Sequence, residues 1–346
     1  MSSKVRAQGE RVRQFILDNV GAHESDLVAH VAGKFSITRQ AVNKHLQKLK
    51  EQGAMANEGN ARAPRYRLTT TQKLSFSYPM RADLAEDLIW SRDIKPAIEH
   101  LPANVLNIWN HGFTEMFNNA VDHSGGTKID VTIARNAITT TIDVSDDGVG
   151  IFRKIQHDLD LLDERQAIFE LSKGKLTTDP RRHSGEGIFF TSRMFENFSI
   201  LSGGLLFDHR RQARTDPDWL LEREQAGAGT VVMMELNNHT ARTTKKVFDE
   251  FSSGDDYGFT KTVVPVDLAK YGQDELVSRS QAKRVLARVD LFKTVVFDFK
   301  GVDAIGQAFA DQIFRVFANE HPGMRLIPIH MSRAVEQMVK RALAKA

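Results

Sequence analysis

Cysteine is missing from the sequence of 346 residues. Its absence excludes disulfide bonds, thiolate metal sites and cysteine nucleophiles, and it fits a reducing compartment. Long apolar runs are missing as well: none approaches the ~20 residues of a membrane-spanning helix, and the first segment, MSSKVRAQGERVRQ, is polar. We therefore expect a cytoplasmic protein that does not associate with membranes.

The charge is unevenly distributed along the chain. The formal net charge is +3, but residues 1–70 hold twelve Lys and Arg against six Asp and Glu, a surplus of +6 that leaves −3 for the remainder. The basic surplus therefore lies at one end of a chain that is long enough for two or three domains with their own cores.

The stretch from His111 to Ile151 carries the most informative pattern. Its first part predicts a helix, because five apolar residues recur at helical spacing and form one stripe. These are Phe113, Met116, Phe117, Ala120 and Val121. Glu115, Asn119 and Asp122 share the neighbouring face, which places a carboxylate and an amide one turn apart. Such a pair can hold a hydrated Mg²⁺ ion and orient a water or a hydroxyl.

A predicted hairpin follows this helix. Residues 128–134 and 138–144 alternate in polarity, as strands do, and a Gly-Gly turn precedes them. The second strand leads directly into Asp146-Asp147-Gly148-Val149-Gly150. Glycines let the backbone approach a ligand closely, and an Asp can accept a hydrogen bond at the edge of that ligand.

These residues resemble the ATP-binding fold of the GHKL superfamily, which covers gyrase-type topoisomerases, heat-shock chaperones of the ninety-kilodalton class, histidine kinases and anti-sigma serine kinases. The helix resembles its N box and Asp146-x-Gly148-x-Gly150 its first glycine box. Two further glycine boxes match at Ser184-Gly185-Glu186-Gly187-Ile188 and at Gly227-Ala228-Gly229-Thr230, before a predicted strand at 231–236. Four elements in the family's order cover roughly residues 80 to 240, the length of a domain.

The resemblance implies ATP and Mg²⁺ as cofactors and assigns a role to each matching residue. Asp146 bonds the adenine amino group, Asn119 is the Mg²⁺ ligand, and Glu115 is the general base or water positioner. Asp122 shares the cofactor-binding face. The remaining cofactor-binding residues are Gly148, Gly150, Gly185, Gly187 and Thr230. Phosphoryl transfer needs mostly positioning and charge neutralisation, so a short list of residues suffices.

A lid is expected around residues 152–184, between the first two glycine boxes. Its cations are Lys173, Lys175, Arg181 and Arg182. We expect them to face the nucleotide phosphates, with Lys173 among the cofactor-binding residues. The alternative is that each belongs to an ordinary solvated loop.

The first seventy residues predict helix, helix, helix and a basic hairpin. Apolar spacing supports helices at 5–19 and 26–34 and a third one that ends at Gly53. This order resembles a winged helix-turn-helix domain, which implies double-stranded DNA as a partner. The residues expected to contact DNA are Thr38, Arg39, Gln40, Asn43, Lys44 and Gln47 of the third helix and Arg62, Arg65 and Arg67 of the wing. A domain that binds only protein, with a solvated basic hairpin, remains the alternative.

The last part of the chain predicts strands that alternate with helices, which favours a small α/β layer. The stretch FDFKGVDAIGQAFADQIF resembles a STAS-like domain, similar to anti-anti-sigma factors. The turn at 303–308, where that family carries a phosphorylatable Ser, contains no Ser or Thr. We therefore expect this domain to dock a partner protein or to dimerise.

Together these patterns predict an α+β multidomain chain: a winged helix at 1–70, a GHKL α/β sandwich with an antiparallel-rich sheet under helices at 71–245, and a small α/β STAS-like domain at 255–346. Two functions fit. In one, a nucleotide-dependent switch regulates transcription through DNA binding, as a homodimer on palindromic sites. In the other, the protein is a slow ATPase or an anti-sigma-type serine kinase. A phospho-acceptor His pattern is absent from the sequence, so self-phosphorylation on histidine is not expected.

Overall fold

The computed structural model describes residues 3–58, 64–81, 84–176, 185–210, 218–222, 227–252, 258–270 and 275–344. The fold is mixed α and β, with one large antiparallel sheet and two smaller sheets. The chain forms two compact units. One comprises Met1–Phe76, Val131–Ile142 and Glu235–Thr240, and the other Ser77–Asp130, Asp143–Met234 and Ala241–Ala346. The predicted three-domain boundaries remain a prediction.

Three helices begin the first unit, as the apolar spacing predicted. They are α1 (Ser3–Asn19), α2 (Leu27–Phe35) and α3 (Arg39–Glu51). Thr38 precedes α3, and its side-chain oxygen accepts a hydrogen bond from the Ala41 N–H at 3.2 Å, which satisfies a donor of the first turn. The core between the helices is aliphatic and includes Val12, Ile16, Leu27, Val31, Val42 and Leu46.

Two short strands follow α3. They are β1 (Met55–Asn57) and β2 (Tyr66–Leu68), and they pair antiparallel with Ala56 opposite Arg67. Both strands of the predicted hairpin are thus confirmed. The hairpin tip at 59–63, with Arg62, lies outside the described residues.

The large sheet has seven strands in the order β3-β4-β5-β9-β6-β7-β8. Their bounds are β3 Gln72–Pro79, β4 Lys128–Arg135, β5 Thr139–Asp146, β6 Asn197–Ser202, β7 Leu205–Arg210, β8 Asp218–Glu222 and β9 Thr230–Asn237. In β4, β5 and β9 buried and less buried residues alternate, because successive side chains point to opposite faces. The predicted hairpin at 128–144 and the strand at 231–236 are confirmed.

Helices α4 (Glu86–Ile89) and α5 (Lys95–Ile98) are separated by one turn of π-helix at Trp90–Ile94. Pro96 is the second residue of α5, directly after the π-helical turn.

The long helix α6 spans Ala103–His123 and buries its apolar stripe, with Phe113 and Phe117 fully enclosed. Shorter helices come next along the chain, before the C-terminal part. They are α7 (Ile151–Asp158), α8 (Glu164–Lys173), α9 (Gly187–Met194) and α10 (Thr244–Phe251). Most of the described part of the expected lid is therefore helical.

The C-terminal part forms a parallel three-stranded layer in the order β10-β11-β12. The strands are β10 (Lys261–Pro265), β11 (Thr294–Asp298) and β12 (Arg325–Ile329). The helices are α11 (Arg279–Leu286), α12 (Gln307–Asp311), a π-turn at Gln312–Phe317, α13 (Ala318–Glu320) and α14 (Arg333–Leu343). The predicted alternation of strands and helices is confirmed. Buried Phe297, Phe299 and Phe314 lie in its core.

None of the helices in the described ranges combines the length and the apolarity that a membrane span requires.

Candidate functional site

One cavity of about 280 Å³ collects residues from α6, β5, α7, α9 and β9. We call it the site cavity. Six of the predicted site residues line it: Glu115, Asn119, Asp146, Gly185, Gly187 and Thr230. They come from positions up to about a hundred residues apart in the chain, so the fold brings together what the separate boxes predicted.

Glu115 and Asn119 reach the cavity from one face of α6, one turn apart, while Phe113 and Phe117 pack into the core behind them. The Glu115 carboxylate lies against the first residue of α9: a Cβ added to Gly187 would sit 2.0 Å from Glu115 Oε2. A carboxylate and an amide oxygen are hard oxygen donors of the kind that Mg²⁺ prefers. The donor set on this wall therefore fits the expected ion.

Asp146 ends β5 and is half-buried at the cavity wall. Its Oδ1 accepts a hydrogen bond from the Gly148 N–H at 2.9 Å. Burial raises the pKa of this carboxyl above its ordinary value, and hydrogen bonds from Gly148 and Thr230 partly oppose that rise. The Thr230 hydroxyl oxygen also accepts from the Ile151 N–H at 3.0 Å, so Thr230 links the last strand of the site to the start of α7.

Asp147, the next residue, plays a role that the sequence did not indicate. Its carboxylate accepts from the Thr127 N–H at 2.6 Å, the Thr127 hydroxyl at 2.6 Å and the Lys128 N–H at 3.1 Å. These bonds favour the ionised form and lower the pKa of Asp147 to about 2. Asp147 thus ties the turn after α6 to the glycine-rich segment. The second Asp of Asp-Asp-Gly was the only available signal for it.

Gly148 and Gly150 do not line the cavity, although the resemblance implied that they wrap the nucleotide. A Cβ on Gly148 would lie 2.1 Å from the Ser124 carbonyl oxygen, and the neighbouring Val149 N–H donates to that oxygen at 2.9 Å. Gly150 has φ +87°, and its Cβ would meet Ser202 Oγ at 2.6 Å. Their lack of a side chain lets the loop pack closely against Ser124 and Ser202.

Lys173 is also placed differently from the prediction. Its ammonium is buried away from the cavity lining and donates to Glu170 Oε1 at 2.8 Å, the Ala287 carbonyl at 2.9 Å and the Arg284 carbonyl at 3.2 Å. Burial lowers the pKa of Lys173, while the Glu170 carboxylate favours its charged form. The expected contact with phosphates is replaced by contacts with the C-terminal layer.

The other expected residues divide into two groups. Lys175 donates to the Leu291 carbonyl at 2.9 Å rather than lining the cavity, and Asp122 is an exposed residue of α6 that is likewise absent from the lining. Arg181, Arg182 and Ser184 lie outside the described residues.

Lys154 is a cavity residue that the sequence analysis missed. It lies on α7 and pairs with Asp158 at 3.0 Å. The sequence did contain a signal for this position, because Lys154 follows Gly150 by one helical turn. In the structure the Lys154 backbone N–H donates to the Gly150 carbonyl.

The residues expected to contact DNA are exposed where the structure describes them. Those on or next to α3 are Thr38, Arg39, Gln40, Asn43, Lys44 and Gln47. On the hairpin, Arg65 and Arg67 are exposed, but Arg67 is paired with Glu58 at 2.9 Å. A phosphate contact by Arg67 would therefore share the guanidinium with Glu58 or displace it.

Comparison with known families agrees with two of the resemblances. Residues 107–240 match the family of histidine kinase-, DNA gyrase B-, and HSP90-like ATPases, and residues 281–336 match the STAS-like domain of unknown function DUF4325. No curated protein sequence matches the chain. The family matches support a GHKL-type ATPase domain that contains the site cavity and a STAS-like domain after it.

Proposed function

We propose that the protein binds ATP with Mg²⁺ in the site cavity and that the nucleotide state controls its binding to double-stranded DNA. The observation that carries the nucleotide part is the meeting of Glu115, Asn119 and Asp146 on the wall of one cavity. All residues that line the cavity lie within the range that matches an ATPase family.

Each side chain has a distinct task in this proposal. Asn119 would hold Mg²⁺, and the ion supplies neutralisation of phosphate charge when it is bound. Glu115 would position a water or act as the general base. The ionised Asp146 carboxylate would accept a hydrogen bond from the adenine amino group. Thr230 would lie beside the nucleotide, since its hydroxyl already joins Ile151 at the cavity wall.

The DNA part rests on the first seventy residues. Three helices followed by an antiparallel pair of strands are the element order of a winged helix-turn-helix domain. The third helix exposes Arg39, Asn43 and Lys44, and the segment carries the basic surplus of the chain. Such a helix would enter the major groove, while Arg65 and Arg67 would approach phosphates. Arg62 stays a prediction.

A switch requires only that ATP bind one state of the protein better than the other. A coupling of about 1–3 kcal/mol changes DNA affinity roughly 5- to 150-fold. A homodimer on a palindromic site belongs to the same proposal, and the STAS-like domain would supply a docking surface for a partner protein.

Titration onto mixed duplex DNA at low and moderate salt, with and without Mg²⁺ and ATP, tests the DNA part. We expect salt-sensitive binding, because Lys and Arg that neutralise phosphates release counterions. Lys44→Ala should weaken binding, whereas Lys245→Ala, an exposed lysine paired with Asp249, serves as the charge-matched control. No binding to DNA under any of these conditions would contradict the DNA part and favour a protein partner for the N-terminal helices.

A second candidate function is catalysis, either slow ATP hydrolysis or phosphoryl transfer to a partner serine. The observation in its favour is Glu115 itself, because a pure ATP sensor would not require a carboxylate at the cavity wall. Phosphate release followed in the DNA titration samples separates the two: turnover without DNA binding favours the enzyme.

A further inference from the structure

Residues 170–176 form one wall of the site cavity and are held from behind by the C-terminal layer. Leu171 and Leu176 line the cavity, as does Phe189 of α9. Between the two leucines, Lys173 and Lys175 instead contact residues 284–292.

Lys173 makes the most extensive of these contacts. Its ammonium has three acceptors, the Glu170 carboxylate on its own helix and the carbonyls of Arg284 and Ala287. Only 1% of Lys173 is exposed. A buried ammonium with fewer partners would be costly, so this position is well determined.

The backbone beside Lys173 is fixed as well. The Thr262 hydroxyl donates to the Lys173 carbonyl at 2.5 Å, and Arg288 donates to the Lys175 carbonyl. Lys175 in turn donates to the Leu291 carbonyl and lies 4.8 Å from the centre of the Phe292 ring. Side chains and backbone of the wall are therefore both bonded to the C-terminal layer.

Gly174 lets the chain approach an aromatic cluster shared by both parts. Its φ is +81°, and an added Cβ would lie 2.7 Å from Phe259 and 3.0 Å from Phe189. The Phe189 and Phe259 rings are 4.6 Å apart. The cavity residue Phe189 is thus backed directly by Phe259.

The wall is also joined to the residues expected to act on the nucleotide. Leu176 N–H donates to the Gly185 carbonyl at 3.1 Å, and Gly185 has φ +71° with no room for a Cβ beside Leu176. Two residues later Gly187 touches the Glu115 carboxylate. A shift of the 170–176 wall would therefore displace Glu115 through Gly185 and Gly187.

We propose that the C-terminal layer completes the nucleotide site by holding the 170–176 wall in place. Lys173 is the positioning residue that fixes this wall, through its hydrogen bonds to the Arg284 and Ala287 carbonyls. The inference rests on the proposed binding of ATP. Its consequence is that the ATPase-type domain depends on the C-terminal layer for nucleotide affinity, and that whatever binds this layer can alter that affinity.

The test uses full-length variants and ATP with MgCl₂. Lys173→Met should weaken ATP binding roughly tenfold, within the usual range of coupling between sites. Thr262→Val removes a single hydroxyl contact with the same wall and keeps the charges paired, so it should weaken binding in the same direction even if Lys173→Met folds poorly. Val339→Ala, at a buried position of α14, is the control for lost stability; it should change ATP affinity by no more than about twofold.

Hydrogen exchange supplies a readout that a purely structural role would not move. In the wild type, ATP should slow amide exchange at residues 284–292 as well as around Glu115. In Lys173→Met, ATP should still slow exchange around Glu115 but should no longer slow it at residues 284–292. The proposal is overturned if Lys173→Met and Thr262→Val bind ATP like the wild type, or if Val339→Ala weakens binding equally. It is also overturned if ATP protects the cavity but leaves 284–292 unchanged. A wild type that shows no ATP protection anywhere would instead refute the proposed function, and the inference with it.

Discussion

Asp147 reaches Thr127, 20 residues away, whereas Lys173 reaches Ala287, 114 residues away. The two bonds typify the two sides of the site cavity. On the side of α6 and β5, nearby residues hold the loop, as when Val149 bonds Ser124. On the side of α8 and α9, the wall is held by residues of another layer. The side of α6 and β5 is therefore held by residues that are near it in the sequence, whereas the side of α8 and α9 depends on the C-terminal layer.

Substitution of Glu115 should give the largest effect and tests the first side. Glu115→Ala should leave ATP affinity close to wild type and lower any turnover by about 1,000-fold, the usual scale for a general base. Phosphate release and an ATP titration on the same sample check this, with Glu99→Ala as an exposed acidic control. Turnover at the wild-type rate would remove Glu115 from the role of base.

Asp146→Asn should weaken ATP binding by about 100-fold, because a hydrogen bond to a charged group contributes up to ~3 kcal/mol. The measurement is a calorimetric titration beside Asp249→Asn, an exposed aspartate paired with Lys245. Since burial raises the pKa of Asp146, binding should also decline on acidification at a higher pH than an ordinary Asp would give. Unchanged affinity would place the adenine elsewhere.

Gly187→Ala addresses the contact that joins the two sides. The added Cβ meets the mobile end of Glu115 at 2.0 Å rather than backbone, so the carboxylate should move and the fold should survive. We expect turnover to fall roughly 10- to 100-fold through misplacement of Glu115, with little change in the unfolding temperature. A large fall in the unfolding temperature together with the loss of turnover would contradict this account, because it would mean that the substitution damages the fold.

Gly148→Ala should instead lower the stability of the fold. Its Cβ would lie 2.1 Å from the Ser124 carbonyl oxygen, which is backbone and cannot rotate away. We expect a loss of about 1–3 kcal/mol in the free energy of unfolding, measured with denaturant. Gly33→Ala is the matched control, because nothing lies within 4 Å of its Cβ position inside α2, and alanine there should stabilise the helix.

Asp147→Asn should produce the smallest effect, and one that depends on pH. The pKa of Asp147 is lowered to about 2, so its hydrogen bonds stabilise the folded state above its ordinary pKa of about 4. That stabilisation is lost as pH falls from about 4 to 2. Thermal unfolding of wild type and variant should therefore differ at pH 7 and converge toward pH 2. A constant difference would mean that the charge of Asp147 does not matter.

How far the sequence predicted the molecule follows the same division. The helix of Glu115 and Asn119, the strand ending at Asp146 and the alternation of the C-terminal layer depend on local periodicity, and all are found. Lys173 was assigned to the phosphates because a lysine near glycine boxes suggests an anion. One of its partners is the Glu170 carboxylate on the same helix, but the other two are the carbonyls of Arg284 and Ala287. Every residue type carries a carbonyl, so no pattern of side chains could reveal the contact with the C-terminal layer.

Gly148 and Gly150 show a second limit. Their spacing indicated a ligand-binding loop, yet their missing side chains admit Ser124 and Ser202. A glycine signals close approach without saying what approaches. The position of Lys154 at the cavity could have been predicted from the sequence, because Lys154 follows Gly150 by one helical turn.

The most direct test of the account is a calorimetric titration of ATP into the full-length wild type, with and without Mg²⁺. The account predicts saturable binding of one nucleotide per chain that tightens with Mg²⁺ and is weakened about 100-fold in Asp146→Asn. The absence of saturable binding up to about 1 mM ATP, equivalent to about −4 kcal/mol, would contradict the assignment of the site cavity.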